Sequence, residues 1–251
     1  MMILSVYTAK LPAEGMGRMD AIEQKILQVI DAHAEEIKAF GRDIFDHAEL
    51  GYQEHRTAGK FAEALRRLGM QPQEELSGTR DQKLRVAVMG ELDALPICNA
   101  SHTNPETGAA HCCGHHAQLT GVLGAAIALS DPQVKASLDG MPVFMAVPAE
   151  ECVDLEFKEK LAEEGKIRCF GGKCEFIRIG VMDDIDLVVG HHSTTGGFEA
   201  GMGNSPSTGF VSKTVKYKGK ASHAAGAPQK GVDALNAAAD LNATVKEMLR
   251  A

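Results

Sequence analysis

Four short segments of this sequence concentrate the side-chain types that bind metal ions. They are Glu91-Leu-Asp93, His111-Cys112-Cys113-Gly114-His115-His116, Glu150-Glu151 and His191-His192. Carboxylate, imidazole and thiolate together are the donor set of zinc and similar divalent ions. The four segments therefore predict a metal site, provided that the fold brings them together.

Predicted secondary structure supplies a reason for them to meet. Apolar runs at 84–89 (LRVAVM), 142–147 (PVFMAV) and 186–190 (DLVVG) are typical of buried strands, and each is followed by one of the segments. The cysteine-containing segment leads into a predicted buried helix at 118–129. Ligands of open α/β sheets bind beyond the carboxyl ends of the strands, so we expect all four segments at one edge.

The remaining elements alternate along the chain. Helices are predicted from a capping box at Asp20 and Glu23, and over 54–68, 155–164 and 232–249; residues 210–217 alternate like a half-exposed strand. Strands alternating with helices predict an α/β fold with a largely parallel sheet covered on both faces. The Gly- and Ser-rich stretch 194–207 predicts a domain boundary, and residues 1–19 predict a flexible tail.

Composition excludes several classes of protein. The 251 residues are 44% hydrophobic and 24% charged, with a net charge of −8, so neither a disordered chain nor a nucleic-acid-binding protein is expected. No apolar run approaches a membrane span. The six cysteines do not form the pattern of a disulfide scaffold, and we expect a cytoplasmic protein with reduced thiols.

Motifs of other hydrolases and of nucleotide-binding proteins are missing from the sequence. It contains no Gly-x-Ser-x-Gly elbow and no Gly-rich phosphate loop. A thiol hydrolase acting through Cys113 stays open, although it leaves the two carboxylates after Pro148 unexplained. The pair Cys169 and Cys174 lacks a second pair of zinc ligands, so a surface loop is predicted there.

Six blocks in order resemble the dinuclear metal-dependent amidohydrolases and exopeptidases. That family includes aminoacylase, hippurate hydrolase, auxin-conjugate hydrolases and aminobenzoyl-glutamate hydrolases. The blocks are His47 to Glu54 with Thr57, Glu91 to Pro96, His111 to His115, Pro148 to Glu151, Gly190 to His192, and Lys218 to Pro228 followed by Gly231 to Leu235. The resemblance thus extends from about residue 47 to the end of the chain.

The resemblance implies a role for each matching position. Cys113, His115, Glu151 and His192 match the metal ligands, and two divalent ions, zinc or manganese, are implied. Glu150 matches the general base, and Asp93 matches the carboxylate that orients a ligand imidazole. His223, in a smaller lid domain, matches the histidine that stabilises the tetrahedral oxyanion.

From this resemblance we expect a three-layer α/β/α catalytic domain with a smaller α/β lid that forms a homodimer. Residues 20–206 would be the first part of the catalytic domain and 207–251 the start of the lid. The expected reaction is hydrolysis of the amide bond in N-acyl or aroyl amino acids or small dipeptide-like amides. The alternative is a catalytically inactive relative that serves as a binding or assembly module.

The sequence also departs from the family pattern. His116 stands where Asp or Asn is usual, Glu91 replaces the commoner Asp, and Ala48 stands where Pro is usual. Family members supply another histidine ligand from far downstream, and His223 is the last histidine here. We therefore expect a fragment with an incomplete lid, which binds metal weakly and hydrolyses little when expressed alone.

Overall fold

The computed structural model describes residues 19–71, 84–193 and 215–248. Its elements in chain order are α1 (Ala21–Ala32), α2 (Ala34–Asp46), α3 (His55–Arg67), β1 (Arg85–Glu91), α4 (His115–Ser130), α5 (Pro132–Ala136), β2 (Met141–Val147), α6 (Leu155–Glu163), α7 (Gly172–Arg178), β3 (Leu187–Gly190) and α8 (Ala234–Met248). A 3-10 turn covers Pro228–Lys230. The capping box predicted for α1 is confirmed: Asp20 accepts from the backbone N–H of Glu23, and the Glu23 carboxylate accepts from that of Asp20.

The three strands form one parallel sheet, as the sequence predicted, and their order is β2-β1-β3. In the central strand, Ala87 pairs with Val143 of β2 on one side and with Val188 of β3 on the other. Parallel pairing brings the carboxyl ends of all three strands to the same edge of the sheet. The segments that follow the strands therefore start close together.

Apolar side chains cover both faces of β1 and β2, whereas the four residues of β3 are exposed, contrary to the covering of both faces that was expected for the whole sheet. On one face the buried residues of the helical layer are Ile37, Ile44, Phe61, Leu65, Leu119, Val122, Leu123 and Ile127, with Val88, Phe144 and Ala146 of the sheet packed against them. The other face buries Ala87, Met89, Met145 and Val147 against Phe176, Val181, Met182 and Ile185. The expected α/β fold, with a parallel sheet between two outer layers, is confirmed.

Helix α4 is the central helix of the first layer, and a glycine of α2 lets these two helices approach closely. A Cβ atom on Gly41 of α2 would lie 2.4 Å from Oγ1 of Thr120 in α4, so only glycine permits this contact. The first residues of α4, His115 and His116, are buried together with its apolar side chains. Packing of α4 on β1 therefore fixes where the histidine segment lies.

The predicted surface loop at residues 169–174 is partly wrong, because Cys174 lies within α7. The carboxylate of Glu175, which is buried, accepts hydrogen bonds from the backbone N–H groups of Arg168 and Cys169 and from the guanidinium of Arg178. These contacts connect the preceding loop to the helix. A helix of seven residues has too little periodicity for the sequence to reveal it.

The chain divides into two compact units, Met1–Glu199 and Ala200–Ala251. In the second unit, Lys220 and Val232 pair as an isolated antiparallel bridge and α8 follows. The predicted tail at 1–19 and boundary at 194–207 lie almost entirely outside the described residues, as does most of the predicted strand at 210–217; residues 215–217 are described and are not in a strand. None of the helices in the described ranges combines the length and apolar character that crossing a bilayer requires.

An ion-pair cluster joins α2 to α3 and gives a test of the helical layer. Asp43 lies 2.8 Å from Arg56 and 2.5 Å from Lys60. Partial burial opposes ionisation of Asp43, but the hydrogen bonds from the two cations prevail and lower its pKa to about 2. This carboxylate therefore stabilises the fold above its unfolded pKa, and the contribution is lost as the pH falls towards 2.

We expect Asp43→Asn to lower the free energy of unfolding by about 1 kcal/mol at pH 7 and to reduce its pH dependence between pH 4 and pH 2. Chemical denaturation across this pH range measures both effects. Asp46→Asn, an exposed position on the same helix, serves as the control and should change neither. Equal unfolding free energies and equal pH dependence in the two variants would contradict the stabilising role of Asp43.

Candidate metal centre

The four segments singled out in the sequence meet at the carboxyl edge of the sheet. Strand β1 ends at Glu91, β2 is followed by Glu150, β3 is followed by His191, and α4 begins at His115. Because the sheet is parallel and α4 packs on β1, side chains from all four places lie within a few ångströms of one another.

His115 has no exposed surface, and Asp93 fixes its orientation. The Nδ1 atom of His115 donates to the backbone oxygen of Asp93 at 2.8 Å and lies 3.2 Å from Oδ1 of the Asp93 carboxylate. A donor at Nδ1 leaves Nε2 as the atom that can bind a metal, an arrangement common among ligand histidines. Asp93 thus lies where the sequence expected an orienting carboxylate.

Cys113 and His192 lie on the exposed side of His115. The Sγ atom of Cys113 is 3.5 Å from Nε2 of His192, whose Nδ1 donates to the backbone oxygen of Ser193 at 2.7 Å. The rings of His115 and His192 meet edge to face, with centroids 5.8 Å apart. One ligand atom from each of the three side chains lies within 4.8 Å of the others, so the group can hold an ion.

The backbone around Cys113 depends on glycine. Gly114 adopts a φ of 100°, a left-handed conformation that L side chains rarely tolerate. A Cβ atom at this position would also lie 2.0 Å from Oγ of Ser193, the residue after His192. Gly114 therefore lets the chain turn sharply between Cys113 and His115 while the segment after β3 approaches closely.

Glu151 lies beside the three-residue group but outside it. Its backbone N–H donates to Oδ2 of Asp93 at 2.9 Å, and its backbone oxygen accepts from the buried ammonium of Lys158 at 2.5 Å. The Oε1 atom of its carboxylate is 4.0 Å from Nε2 of His115. The structure thus brings this predicted ligand to the centre, at a longer distance than the other three.

A strained turn positions Glu150. The preceding residue, Ala149, is fully buried with a φ of 50°, and its N–H donates to the carboxylate of Glu54 at 2.7 Å. Non-glycine residues persist in this region only where their surroundings hold them there. Glu150 emerges from the turn with Oε2 at 3.8 Å from Nε2 of His115 and Oε1 at 3.3 Å from the ammonium of Lys173.

Two further residues of the centre were not assigned a role from the sequence. Glu91 is 4% exposed, and its Oε2 lies 2.9 Å from Nε2 of His115. Lys173 of α7 contacts Oε1 of Glu91 as well as Glu150. Lys173 was missed because α7 was taken for a loop; the position of Glu91 at the end of a predicted strand was the available signal for that residue.

The charges of the centre shift the pKa values of its groups. Burial, a hydrogen bond to Glu151 and the nearby carboxylates raise the pKa of the Cys113 thiol to about 12. Burial opposes the charged form of His115, but hydrogen bonds to Asp93 and Glu91 outweigh it and raise its pKa to about 10. Burial likewise disfavours ionised Glu91, yet His115 and Lys173 hold its pKa at about 2. The carboxylates therefore give the centre a negative potential, which attracts cations.

Two histidines next to the centre, His116 and His191, pack against other parts of the protein. His191, beside His192, packs against α4: a Cβ atom on Gly121 would lie 2.5 Å from its Nε2. His116 is buried between Phe45 and His111, with ring centroids at 4.8 and 5.2 Å. Among the described residues, neither His116 nor His191 belongs to a group of donors suited to one ion.

His223 belongs to the second unit and is described by itself. It is exposed, in a turn where its Nδ1 accepts a hydrogen bond from the N–H of Gly226 at 2.8 Å. This contact leaves Nε2 of the ring as the atom that can donate. The catalytic role expected for His223 stays a prediction.

The residues of the centre fit a divalent cation. The buried Nε2 atom of His115 lies 2.9, 3.8 and 4.0 Å from carboxylate oxygens of Glu91, Glu150 and Glu151, and several carboxylates around one imidazole nitrogen favour a bound cation. Thiolate, imidazole and carboxylate donors are also the types that zinc and similar ions select. The assignment of individual ligands stays a proposal.

Comparison with known proteins gives sequence relatives of one kind, although no protein-family model matches the chain. The Xaa-Arg dipeptidase of Mus musculus is 29% identical over 244 residues, which make up 88% of this chain and 48% of the relative. A component of the p-aminobenzoyl-glutamate hydrolase of Escherichia coli (strain K12) is 28% identical over 235 residues, or 87% of this chain and 44% of the relative. The chain thus spans about half the length of the curated relatives it matches.

Solved structures show the same fold. A Bacillus subtilis protein described as a dinuclear metal binding peptidase from the M20 family matches with a TM-score of 0.50 at 24% identity. The match covers 65% of this chain and 44% of that one. The resemblance inferred from the sequence is confirmed: the sequence relatives are named as a dipeptidase and an amide hydrolase, and a structural neighbour is described as a dinuclear metal binding peptidase from the M20 family.

Proposed function

We propose that this protein hydrolyses the amide bond of N-acyl or aroyl amino acids, or of small dipeptide-like amides, in a metal-dependent reaction. The observation that carries the proposal is the meeting of Cys113, His115 and His192 at the carboxyl edge of the sheet, with the carboxylate of Glu150 beside them. A cation-binding group next to a carboxylate that can carry a proton is the arrangement that hydrolysis by activated water requires.

Two divalent ions, zinc or manganese, are proposed as the cofactors. Their ligands would be Cys113, His115, Glu151 and His192, and an ion held there would polarise the substrate carbonyl and lower the pKa of water. The thiol of Cys113 favours zinc, since thiolates are soft ligands. Asp93 would act on His115 by fixing the ring through its Nδ1 atom.

Glu150 is proposed as the general base. Its Oε1 atom contacts Lys173, so Oε2 remains directed towards the metal-binding side of His115. In the reaction the Glu150 carboxylate takes a proton from the attacking water, whose oxygen bonds to the amide carbon. It then gives that proton to the leaving nitrogen as the carbon–nitrogen bond breaks, so the carboxylate is regenerated.

The roles of the second unit rest on the resemblance. There His223 would donate a hydrogen bond to the oxyanion of the tetrahedral intermediate, which is more negative than the substrate carbonyl. We propose residues 20–206 as the first part of a catalytic domain and 207–251 as the start of a lid that forms a homodimer. We also propose a cytoplasmic location.

The names of the relatives support the class of substrate. One relative is named as a dipeptidase for Xaa-Arg and another as part of a hydrolase of p-aminobenzoyl-glutamate; both substrates contain an amide that carries an amino acid. A screen of N-acyl amino acids and dipeptides with the metal-loaded, full-length gene product tests the proposal. Metal binding without turnover of any of them would favour the alternative, an inactive relative that serves as a binding module.

We expect Glu150→Gln to reduce kcat by a factor of at least about 10² to 10⁴ in the full-length protein, because an amide cannot accept the proton. Metal content should stay close to wild type, which elemental analysis of the same samples establishes. Near-normal turnover by this variant would show that another group is the base.

Removal of proposed ligands is expected to reduce bound metal. Cys113→Ser and His192→Ala should each lower the metal content after dialysis, since each removes one of few ligands. His191→Ala is the matched control, because the neighbouring ring packs against α4 instead. An equal loss of metal from His191→Ala would overturn the choice of His192.

Alkylation of Cys113 distinguishes a metal-dependent reaction from one in which this thiol is the nucleophile. With Cys113 as a ligand, we expect zinc to protect this thiol from iodoacetamide and a chelator to remove the protection, as read by peptide mass spectrometry. A chelator should also abolish turnover of the full-length protein. Hydrolysis that survives chelation but is stopped by iodoacetamide would instead identify Cys113 as a nucleophile.

A further inference from the structure

We propose that Glu91 is an additional metal ligand of this centre, coordinating through Oε2 the same ion as Nε2 of His115. The inference rests on the proposed function, since it adds a residue to the proposed metal site. Neither the motif pattern nor the names of the relatives assigns a role to Glu91. Its support is the geometry around His115.

Nε2 of His115 and Oε2 of Glu91 face each other, and both can offer a lone pair to a cation when the His115 ring is neutral. Nδ1 of His115 donates to the backbone oxygen of Asp93, so in the neutral ring Nε2 has a lone pair and no hydrogen. Oε2 of Glu91 is also an acceptor and lies 2.9 Å away. His115 is fully buried and Glu91 is 4% exposed, so bulk water does not separate them. In the metal-free chain a proton on Nε2 joins the two atoms, and a metal cation that takes the place of this proton would bind both.

The distance between the two atoms also suits a shared ion. Zinc binds imidazole nitrogen and carboxylate oxygen at roughly 2.0 to 2.2 Å, so two donors of one ion lie about 3 to 3.5 Å apart. Glu91 has the carboxylate oxygen nearest to Nε2 of His115, at 2.9 Å, compared with 3.8 Å for Glu150 and 4.0 Å for Glu151. Donor atoms of Glu91, His115 and Glu150 all lie within 4.8 Å of one another.

Contacts to α7 and α4 hold Glu91 in place. Lys173 contacts Oε1 of its carboxylate, which leaves Oε2 for the ion, and ligand carboxylates commonly have such an outer partner. The backbone N–H of Glu91 donates to the side chain of Gln118 in α4 at 2.8 Å, which ties the end of β1 to that helix. The ion pair with Lys173 uses Oε1, so Oε2 stays directed at Nε2 of His115.

Zinc titration followed by calorimetry on the purified, folded chain tests the proposal. We expect Glu91→Gln, which keeps the shape of the side chain, to weaken zinc binding by at least about tenfold. Glu175→Gln is the matched control: it removes another buried carboxylate of the first unit, whose partners are Arg178 and backbone N–H groups, and should leave zinc affinity unchanged. Cys113→Ser reports on the proposed site as a whole.

The outcomes separate the two proposals. Wild-type affinity in Glu91→Gln together with weaker binding in Cys113→Ser would overturn the role of Glu91 and leave the metal site intact. Wild-type affinity in both would contradict the proposed site itself. If circular dichroism shows that Glu91→Gln is unfolded, Glu91→Asp decides, because it keeps the charge and draws the carboxylate back from His115 by one methylene group; unchanged zinc affinity there would likewise overturn the proposal.

Discussion

The hydrogen bond from His115 to the backbone oxygen of Asp93 is the contact on which the centre depends. This hydrogen bond occupies Nδ1, so Nε2 is the ring nitrogen that faces the metal-binding side. His115 is fully buried, so water does not compete for the contact. Both partners belong to rigid elements: Asp93 follows the central strand and His115 begins the most buried helix. The packing of α4 on β1 therefore sets the geometry of the metal-binding side, and the other groups are arranged around this ring.

Two irregular backbone conformations position the groups around His115, whereas packing positions His115 itself. Gly114 turns the chain between Cys113 and His115 in a conformation that requires glycine. Ala149 holds a left-handed conformation without being glycine, and the Glu54 carboxylate anchors its N–H. Such strain costs on the order of 1–3 kcal/mol and persists only where the surroundings enforce it. Both irregular residues directly precede residues proposed to carry the chemistry, His115 and Glu150.

Much of this arrangement could be predicted from the sequence, because it follows from local pattern and topology. The apolar runs gave the three strands, and parallel pairing implied that the segments after them share one edge. What could not be predicted depends on tertiary contacts. Helix α7 is too short to show a periodicity, so Lys173 could not be placed beside Glu91 and Glu150. His191 packs against α4, and His192 lies beside Cys113. The sequence of two adjacent histidines does not show which of them faces which way. The roles drawn from the resemblance, that of His223 above all, stay predictions.

The central claim is that Cys113 and its neighbours form a cation site, and cobalt substitution tests it most directly. Cobalt bound by a thiolate gives a ligand-to-metal charge-transfer absorption that imidazole and carboxylate ligands do not give. The account predicts that Co²⁺ added to the metal-free protein produces this band, and that zinc displaces it. Cobalt that binds without the band, or a protein that binds no cobalt, would contradict the account.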